Sequence, residues 1–509
     1  MTIPVVDFFA GPGGLGEGFS AFTIAKKQPF RIAMSVEKDP AAHATLRLRA
    51  FLRRFDRGEV PASYYDYVTG RSPQPWDLIN ASEWRAAEKE AINATLGERA
   101  GNEAVSRGLR ELRLKGRSWV LIGGPPCQAY SVVGRSRNAG KNGYRSENDD
   151  RHFLYRHYLR VLDELQPPVF VMENVKGILS ANVAGRAIFK RILEDLAEPS
   201  RSRRGVRSRG VRYRIRAVSS DALMNPGDDP AALDWHDYVV RAEQLGIPQS
   251  RHRVILIGVR EDLDPRIGTV ASVRRGVNLG RVIGGLPRLR SGLSRDDGRS
   301  AWAGQVVKSA AKVHRWLAAR LPDADTERFS GIDADDLPTA TSSSALPKDG
   351  HLIRANPELA DWYRDPALPV LLNHESRSHM SSDLTRYFFC AAWGQVTGSS
   401  PKSGDFPAAL APEHASWGMD AFKDRFRVQV SGTPASTITS HIAKDGHYFI
   451  HYDPLQCRSL TVREAARIQT FPDNYLFEGN RTQQYVQVGN AVPPLLARQI
   501  AKIVADLLE

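Results

Sequence analysis

Leu121-Ile-Gly-Gly-Pro-Pro-Cys-Gln-Ala-Tyr-Ser131 is an apolar strand that runs into a sharp turn. Trp119, Val120, Leu121 and Ile122 have the length and branching of a buried strand, and Gly123, Gly124, Pro125 and Pro126 end it abruptly. Cys127 therefore stands in a loop at a strand's carboxyl end, where an open α/β sheet binds its ligands. A cysteine with a packing role belongs inside an element, so this one reads as chemistry.

The same pattern recurs on either side. Residues 3 to 9 read as a first strand, and Ala10 to Gly18 as a glycine turn into a helix that begins near Leu15. Gly11, Gly13 and Gly16 satisfy G-x-G-x-x-G, which suits a nicotinamide or an adenosyl cofactor equally, since both need a close backbone beside a helix amino terminus. A second strand, Arg31 to Val36, ends in Glu37, whose carboxylate can accept hydrogen bonds from both ribose hydroxyls of an adenosine. Residues 41 to 115 read as mainly helical, with an interruption from Gly70 to Pro75, and are long enough to hold an insertion. The polar loop from Ser131 to Asp150 is open to two readings, a segment that closes over a substrate or a mobile, purely connecting loop. A helix from Arg151 to Leu165 precedes a strand, Val169 to Met172, that delivers Glu173 and Asn174. Another helix spans Ile188 to Leu196, and Gln249, Arg251 and Arg253 lead into a strand at Val254 to Ile257.

Arg201 to Arg216 carries eight arginines in sixteen residues, a pattern open to two readings: a phosphate contact or a solvated hairpin. From 266 to 455 the strands look short, and Gly, Pro, Ser and His are frequent with Trp and Tyr interleaved. This reads as a second, smaller, mostly β or irregular domain. Residues 1–265 then form an α/β catalytic domain, and 456–509 a largely helical segment that returns to it, with a sharp turn at Gln487 to Pro494.

Composition bounds the function. The 509 residues are 42% apolar, enough to fill more than one core. No stretch approaches the roughly 20 apolar residues of a membrane span, and no secretory signal opens the chain, so the expected setting is the cytoplasm. Cys127, Cys390 and Cys457 make neither a disulfide framework nor a metal-ligand pattern, and no structural metal is expected. A net charge of +13 points to a polyanionic partner, most simply nucleic acid.

Strand ends thus offer an adenosine-binding turn, a thiol, a glutamate and two arginines. That set suits attack on an electron-poor heteroaromatic ring. Carbon 5 of cytosine is too weak a nucleophile to take a methyl group unaided, but a thiolate adding to carbon 6 makes it enamine-like. A carboxylic acid at nitrogen 3 then stabilises the charge developing there, and an arginine at the carbonyl oxygen holds the base.

The sequence resembles the bacterial DNA cytosine-5 methyltransferases. Asp7-Phe-Phe-Ala-Gly-Pro-Gly-Gly-Leu15 is similar to their first motif, Gly124-Pro-Pro-Cys-Gln-Ala-Tyr-Ser131 to the nucleophile motif and Met172-Glu-Asn-Val-Lys-Gly177 to the glutamate motif. Gln249-Ser-Arg-His-Arg-Val254 is similar to the paired-arginine motif, while Arg458 to Tyr475 and Gly489-Asn-Ala-Val-Pro-Pro494 are similar to the two carboxyl-terminal motifs. They stand in the family's order and flank nearly the whole chain.

The resemblance implies a Rossmann-like domain that uses S-adenosyl-L-methionine, leaving S-adenosyl-L-homocysteine, and a target-recognition domain at 266–455. Cys127 would be the nucleophile, Glu173 the acid at nitrogen 3 and Arg253 the contact to the cytosine carbonyl, with Arg251 beside it. Phe9, Gly11, Gly13, Gly14, Leu15, Glu37, Pro125, Leu154, Asn490 and Ala491 would bind the cofactor. Lys38 stands where some members place a tryptophan against the adenine, and Asp77 is the best match to the family's third-motif acid. The expected partner is double-stranded DNA, bound by a monomer in the bacterial cytoplasm and nucleoid as part of restriction-modification or another phage-defence system.

Three other readings explain less. An RNA cytosine-5 methyltransferase shares the chemistry, but the large region from 266 to 455 fits a module that reads duplex DNA. A nicotinamide oxidoreductase rests on Gly11, Gly13, Gly16 and Glu37 alone. A catalytically silent DNA-binding protein leaves Cys127, Glu173 and Arg253 without a purpose.

Overall fold

The computed structural model describes residues 2–56, 58–125, 154–183, 186–202, 210–266, 268–273, 276–412 and 425–509. Cys127 and the loop from Ser131 to Asp150 lie outside the described residues.

A nine-stranded sheet organises the first half of the chain. Its strands are β1 (Ile3–Phe8), β2 (Phe30–Glu37), β3 (Ala91–Asn93), β4 (Val120–Gly123), β5 (Val169–Val175), β6 (Tyr213–Arg216), β7 (Leu223–Met224), β8 (Val239–Arg241) and β9 (His252–Arg260). In the order β3-β2-β1-β4-β5-β9-β6-β7 the pairs are parallel as far as β5 and antiparallel beyond it, and β8 pairs with the start of β9. The parallel half explains its sequence: a strand covered on both faces must be apolar throughout. Val120, Ile122, Val169 and Val171 face one core, and Leu121, Phe170 and Met172 face the other.

Helices α1 (Gly14–Ala21), α2 (Pro40–Leu52), α3 (Ala62–Val68), α4 (Ala81–Glu90), α5 (Arg99–Leu112), α6 (Tyr155–Leu165) and α7 (Ile188–Ala197) connect these strands. The expected insertion is α3 and α4, packed on α2 through Tyr64, Phe51 and Trp84. The segment 41–115 is nonetheless not purely helical, because Ala91–Asn93 adds the outer strand β3. Glu173 and Asn174 likewise lie within β5, which runs on to Val175.

The second region is largely irregular, as expected, but its regular structure is helical and not β. It is built on two long helices, α8 (Arg299–Arg320) and α9 (Ser381–Thr397), and its strands are only two residues long. Trp302, Val306, Ala310, Val313 and Leu317 of α8 recur every three or four residues and meet Leu384, Phe388 and Ala391 of α9. Both stretches lack proline, a local fact that the Gly- and Pro-rich average of the region hides.

The carboxyl segment divides its packing. Helices α10 (Val462–Ile468) and α11 (Arg481–Asn490) join a core with Leu279, Ile283, Leu352 and Ile438 of the second region. Helix α12 (Pro494–Leu508) returns to the sheet, burying Leu496, Ile500 and Val504 with Val5, Ile32 and Ile122. Its contact with α1 is so close that a Cβ on Gly18 would lie 2.4 Å from the Pro494 carbonyl oxygen and from Ala497 Cβ. Gly18→Ala should therefore lower stability by about 1–3 kcal/mol. Gly304, on the open face of α8 with nothing near its would-be Cβ, should give a gain of about 0.5–1 kcal/mol as Ala. Urea denaturation of both variants checks this pair of opposite signs.

Candidate active site

Register brings the motif residues to one edge. Phe8, Gly123 and Met172 lie in one row across β1, β4 and β5, so Phe9, Gly124 and Glu173 follow them side by side. Strand order reverses between β1 and β4, which opens the crevice where doubly wound sheets take ligands. Phe9, Gly11 and Gly13 all adopt positive φ (59°, 57° and 100°) as the chain turns into α1.

The glycine turn is closed below and open above. A Cβ on Gly14 would lie 2.2 Å from the Val492 carbonyl oxygen, and one on Gly13 would meet Leu46 and Tyr475, whose hydroxyl donates to the Pro12 carbonyl. A Cβ on Gly11 would meet nothing within 4 Å. The Gly11 amide donates to Glu37 Oε2 at 2.8 Å, and the Asp39 amide to Oε1 at the same distance, which aims the carboxylate across this open side. Asn93, at the end of β3, donates to the Glu37 and Lys38 carbonyls. Asp77 instead fixes a surface turn through the Ile79 and Asn80 amides, and its side chain is not at a strand end. Leu154 flanks the same edge, within 3.7 Å of a Cβ placed on Gly97, and Leu15 is buried under the turn.

Glu173 and Arg253 form an ion pair, Oε1 to Nε at 2.9 Å, with both side chains roughly seven-eighths buried. They meet because β9 runs antiparallel to β5, with Arg253 opposite Val175, so the start of β9 arrives where β5 ends. Gly124 leaves room for the carboxylate: a Cβ there would sit 3.0 Å from Glu173 Oε2. Asn174 donates to the Pro125 carbonyl and accepts from the Val175 amide, holding the turn that leads on to Cys127.

Arg251 does not join them. Its guanidinium is buried and donates to the carbonyls of Ile438 (2.7 Å), Ala491 (2.8 Å) and Gly489 (3.4 Å). Burial and then Arg253 push its pKa well below the usual arginine range. It is a positioning residue that ties β9 to the second region and to the carboxyl segment, so the catalytic place beside Arg253 expected from sequence is withdrawn. Gln249 works alongside it, accepting from the Ile438 amide and donating to Gln469. Asn490 is exposed at the end of α11, while Ala491 is buried, its carbonyl engaged by Arg251.

Elimination also bears on the thiol. Cys390 and Cys457 are buried in the core of the second region, where desolvation pushes both well above the usual cysteine range. Neither is a nucleophile. Of the arginine run, Arg214 and Arg216 are structural, donating to carbonyls from Leu263 to Gly268, and Arg201 and Arg212 pair with Glu198.

The C-5 cytosine-specific DNA methylase family matches residues 106–199 and 375–505. A type II methyltransferase, M.Bpa9945I of Bacillus paralicheniformis, is 31% identical over 532 aligned positions that cover 99% of each chain. The chain belongs to the DNA cytosine-5 methyltransferases. The methyltransferase is also similar to the DNA (cytosine-5-)-methyltransferase M.ApeKI of Aeropyrum pernix, 29% identical over 77% of this chain and 81% of that one. M.DdeI of Desulfomicrobium norvegicum, another type II methyltransferase, is 26% identical over 99% of this chain and 89% of its own.

One group in the methyltransferase's first motif escaped the sequence reading. Asp7 is fully buried beneath the glycine turn, and neither carboxyl oxygen has a well-formed hydrogen bond. Burial is the main cause that pushes its pKa up to about 8; Glu37 adds to it, while Arg53 and the Gly16 amide oppose. Between the ordinary carboxyl range and pH 8 the folded chain keeps a proton that the unfolded chain has lost, so stability falls as pH rises, by up to about 1.4 kcal/mol per unit. Asp7→Asn should remove this slope. Urea denaturation from pH 5 to 8 should show wild type losing stability relative to the variant, and parallel curves would contradict the assignment.

Proposed function

We propose that this DNA methyltransferase transfers a methyl group from S-adenosyl-L-methionine to carbon 5 of a cytosine rotated out of duplex DNA, through a covalent bond between Cys127 and carbon 6. The observation that carries the reading is the Glu173–Arg253 pair, set beside the Gly124-Pro125 turn from which Cys127 follows. An arginine and a carboxylate fixed side by side match the acceptor and donor edge of one cytosine: carbonyl oxygen to Arg253, nitrogen 3 and the amine to Glu173.

The open face of Gly11, with Glu37 aimed across it, fits a nucleoside with two vicinal hydroxyls; both carboxylate oxygens keep lone pairs for them after accepting the Gly11 and Asp39 amides. Phe9, Gly13, Gly14, Leu15, Pro125, Leu154, Asn490 and Ala491 would complete that site. Bound there, adenosylmethionine supplies an electrophilic methyl group.

The chain's own residues do the rest. Cys127 adds to carbon 6 as the thiolate, and Glu173 meets the charge that develops at nitrogen 3 with a proton. Arg253 holds the carbonyl oxygen and keeps Glu173 in place. Transfer leaves a proton on carbon 5; its removal and expulsion of the thiolate restore the aromatic ring. Extrusion of the base is required because the stack shields the ring face, and costs a few kcal/mol that phosphate contacts offset.

Residues 266–455 serve as the target-recognition domain in this reading, and the carboxyl segment locks that domain to the catalytic sheet. Relatives named as type II methyltransferases support a role for it in restriction-modification.

A duplex bearing 5-fluorocytosine at the target should trap the adduct, because fluorine leaves no proton at carbon 5 to remove. Cys127→Ser should abolish trapping yet retain cofactor binding by calorimetry. Glu173→Gln should slow methyl transfer roughly 100- to 10,000-fold while DNA affinity holds. Near-parental methylation by Cys127→Ser would overturn the mechanism.

A further inference from the structure

The outer faces of α5 and α6 enclose a groove of about 720 Å³ that the reaction does not use. Arg99, Arg107 and Arg110 line it from α5 and Arg160 from α6. Arg160 donates to Ser106 and Glu164, and Arg99 to Glu103. Arg107 and Arg110 are exposed, and neither pairs with a carboxylate among the described residues. The positive field is felt locally: His157, behind the groove, is held below its usual pKa by burial first and Arg160 second.

The charge continues along the chain. From Arg99 to Arg117 stand six basic residues, Arg99, Arg107, Arg110, Arg113, Lys115 and Arg117, against only Glu103 and Glu111. Arg113, Lys115 and Arg117 are exposed too. The track runs from the sheet's carboxyl edge, where Gly97 lies beside Leu154, toward its amino edge, where Arg117 and Arg31 line a smaller hollow.

This surface is distinct from the cytosine site. Helix α5 backs on β2 and β3, where a Cβ on Gly108 would lie 2.8 Å from Met34 Sδ. Glu173 and Arg253 stand on β5 and β9, three or more strands from α5, roughly 14 Å across the sheet; α6, over β4 and β5 through the Tyr158 hydroxyl, lies nearer and forms the groove's inner wall.

We propose that the α5–α6 groove binds the phosphates of a second segment of duplex DNA, separate from the one that presents the target cytosine. The spacing separates this from a small-anion site. Arg99 and Arg110 are eleven residues apart on one helix, about 16 Å, too far to converge on one phosphate but matched to a run of backbone charges. The groove is open along its length and walled by charged and polar side chains, which suits a continuous polyanion over an apolar peptide. A second contact of this kind lets the enzyme hold one stretch of DNA while the cleft samples another. The inference rests on the proposed DNA methyltransferase function.

The test compares Arg107→Gln/Arg110→Gln/Arg160→Gln with the parent on two duplexes of one target, about 14 and about 100 base pairs. Fluorescence anisotropy against salt and single-turnover methylation are measured on each. On the short duplex, affinity and rate should agree within twofold. On the long duplex at low salt, affinity should fall about tenfold and the salt slope by two to three, with Lys in place of Gln restoring most of both. Unchanged slope and affinity on the long duplex would overturn the proposal, as would equal losses on both lengths, which would make the groove part of the cleft contact or of the fold. Tighter binding of RNA than of DNA that is lost in the variant would overturn it in favour of an RNA ligand. A parent that binds both duplexes but methylates neither would tell against the proposed function while leaving the groove's DNA contact measurable.

Discussion

One buried guanidinium joins the parts of this enzyme. Arg251 sits at the root of β9, two residues before Arg253, and spends its donors on carbonyls of Ile438, Gly489 and Ala491. These belong to the second region and to the carboxyl segment. A charged group buried among neutral carbonyls costs desolvation, and removing it would strip the Ile438, Gly489 and Ala491 carbonyls of its bonds, leaving Ala491 only the longer one from Gln469. The arrangement makes the strand that carries Arg253 and the segments that close the site a single body.

Further contacts make the same closure from the cofactor side. Val492 presses on Gly14, Tyr475 reaches the Pro12 carbonyl, and Arg49 links Glu17 of α1 to Asn474. The arginines of the Arg458 to Tyr475 motif are part of this frame. Arg458 forms two bonds of 2.7 Å to Glu464, Arg463 donates to the Leu372, Pro472 and Tyr475 carbonyls, and Arg467 pairs with Asp349 and Asp473. The arginines of this motif are therefore interior. The positive charge free to meet phosphates lies elsewhere on the surface.

The sheet was legible because its longer parallel strands are short apolar runs, because glycine and proline follow β1 and β4 closely, and because β2, β4 and β5 each lead to one chemical group at the carboxyl end. Glu37 and Glu173 followed from that logic, and Arg253 from its place just before an apolar run; the antiparallel pairing of β9 with β5 brings Arg253 and Glu173 within 2.9 Å. Three things were hidden for physical reasons. The strand Ala91–Asn93 is only three residues long and follows a helix directly, so periodicity has no length in which to show. The helices of the second region are diluted by the loops around them. Arg251 and Arg253 are indistinguishable in sequence, yet pairing geometry sends one into the core and the other to the edge. Asp7 was passed over because a carboxyl at a strand's end reads as solvated until burial is known.

The central claim is that the carboxyl-edge site methylates carbon 5 of cytosine in duplex DNA. Bisulfite sequencing of genomic DNA from a host without cytosine-5 methylation, expressing this chain, measures it directly. The account predicts protected cytosines at one fixed position of a single short recurring sequence, and none with Cys127→Ser. A fully converted genome with soluble, folded enzyme present, or protection that persists in the Cys127→Ser strain, would contradict it.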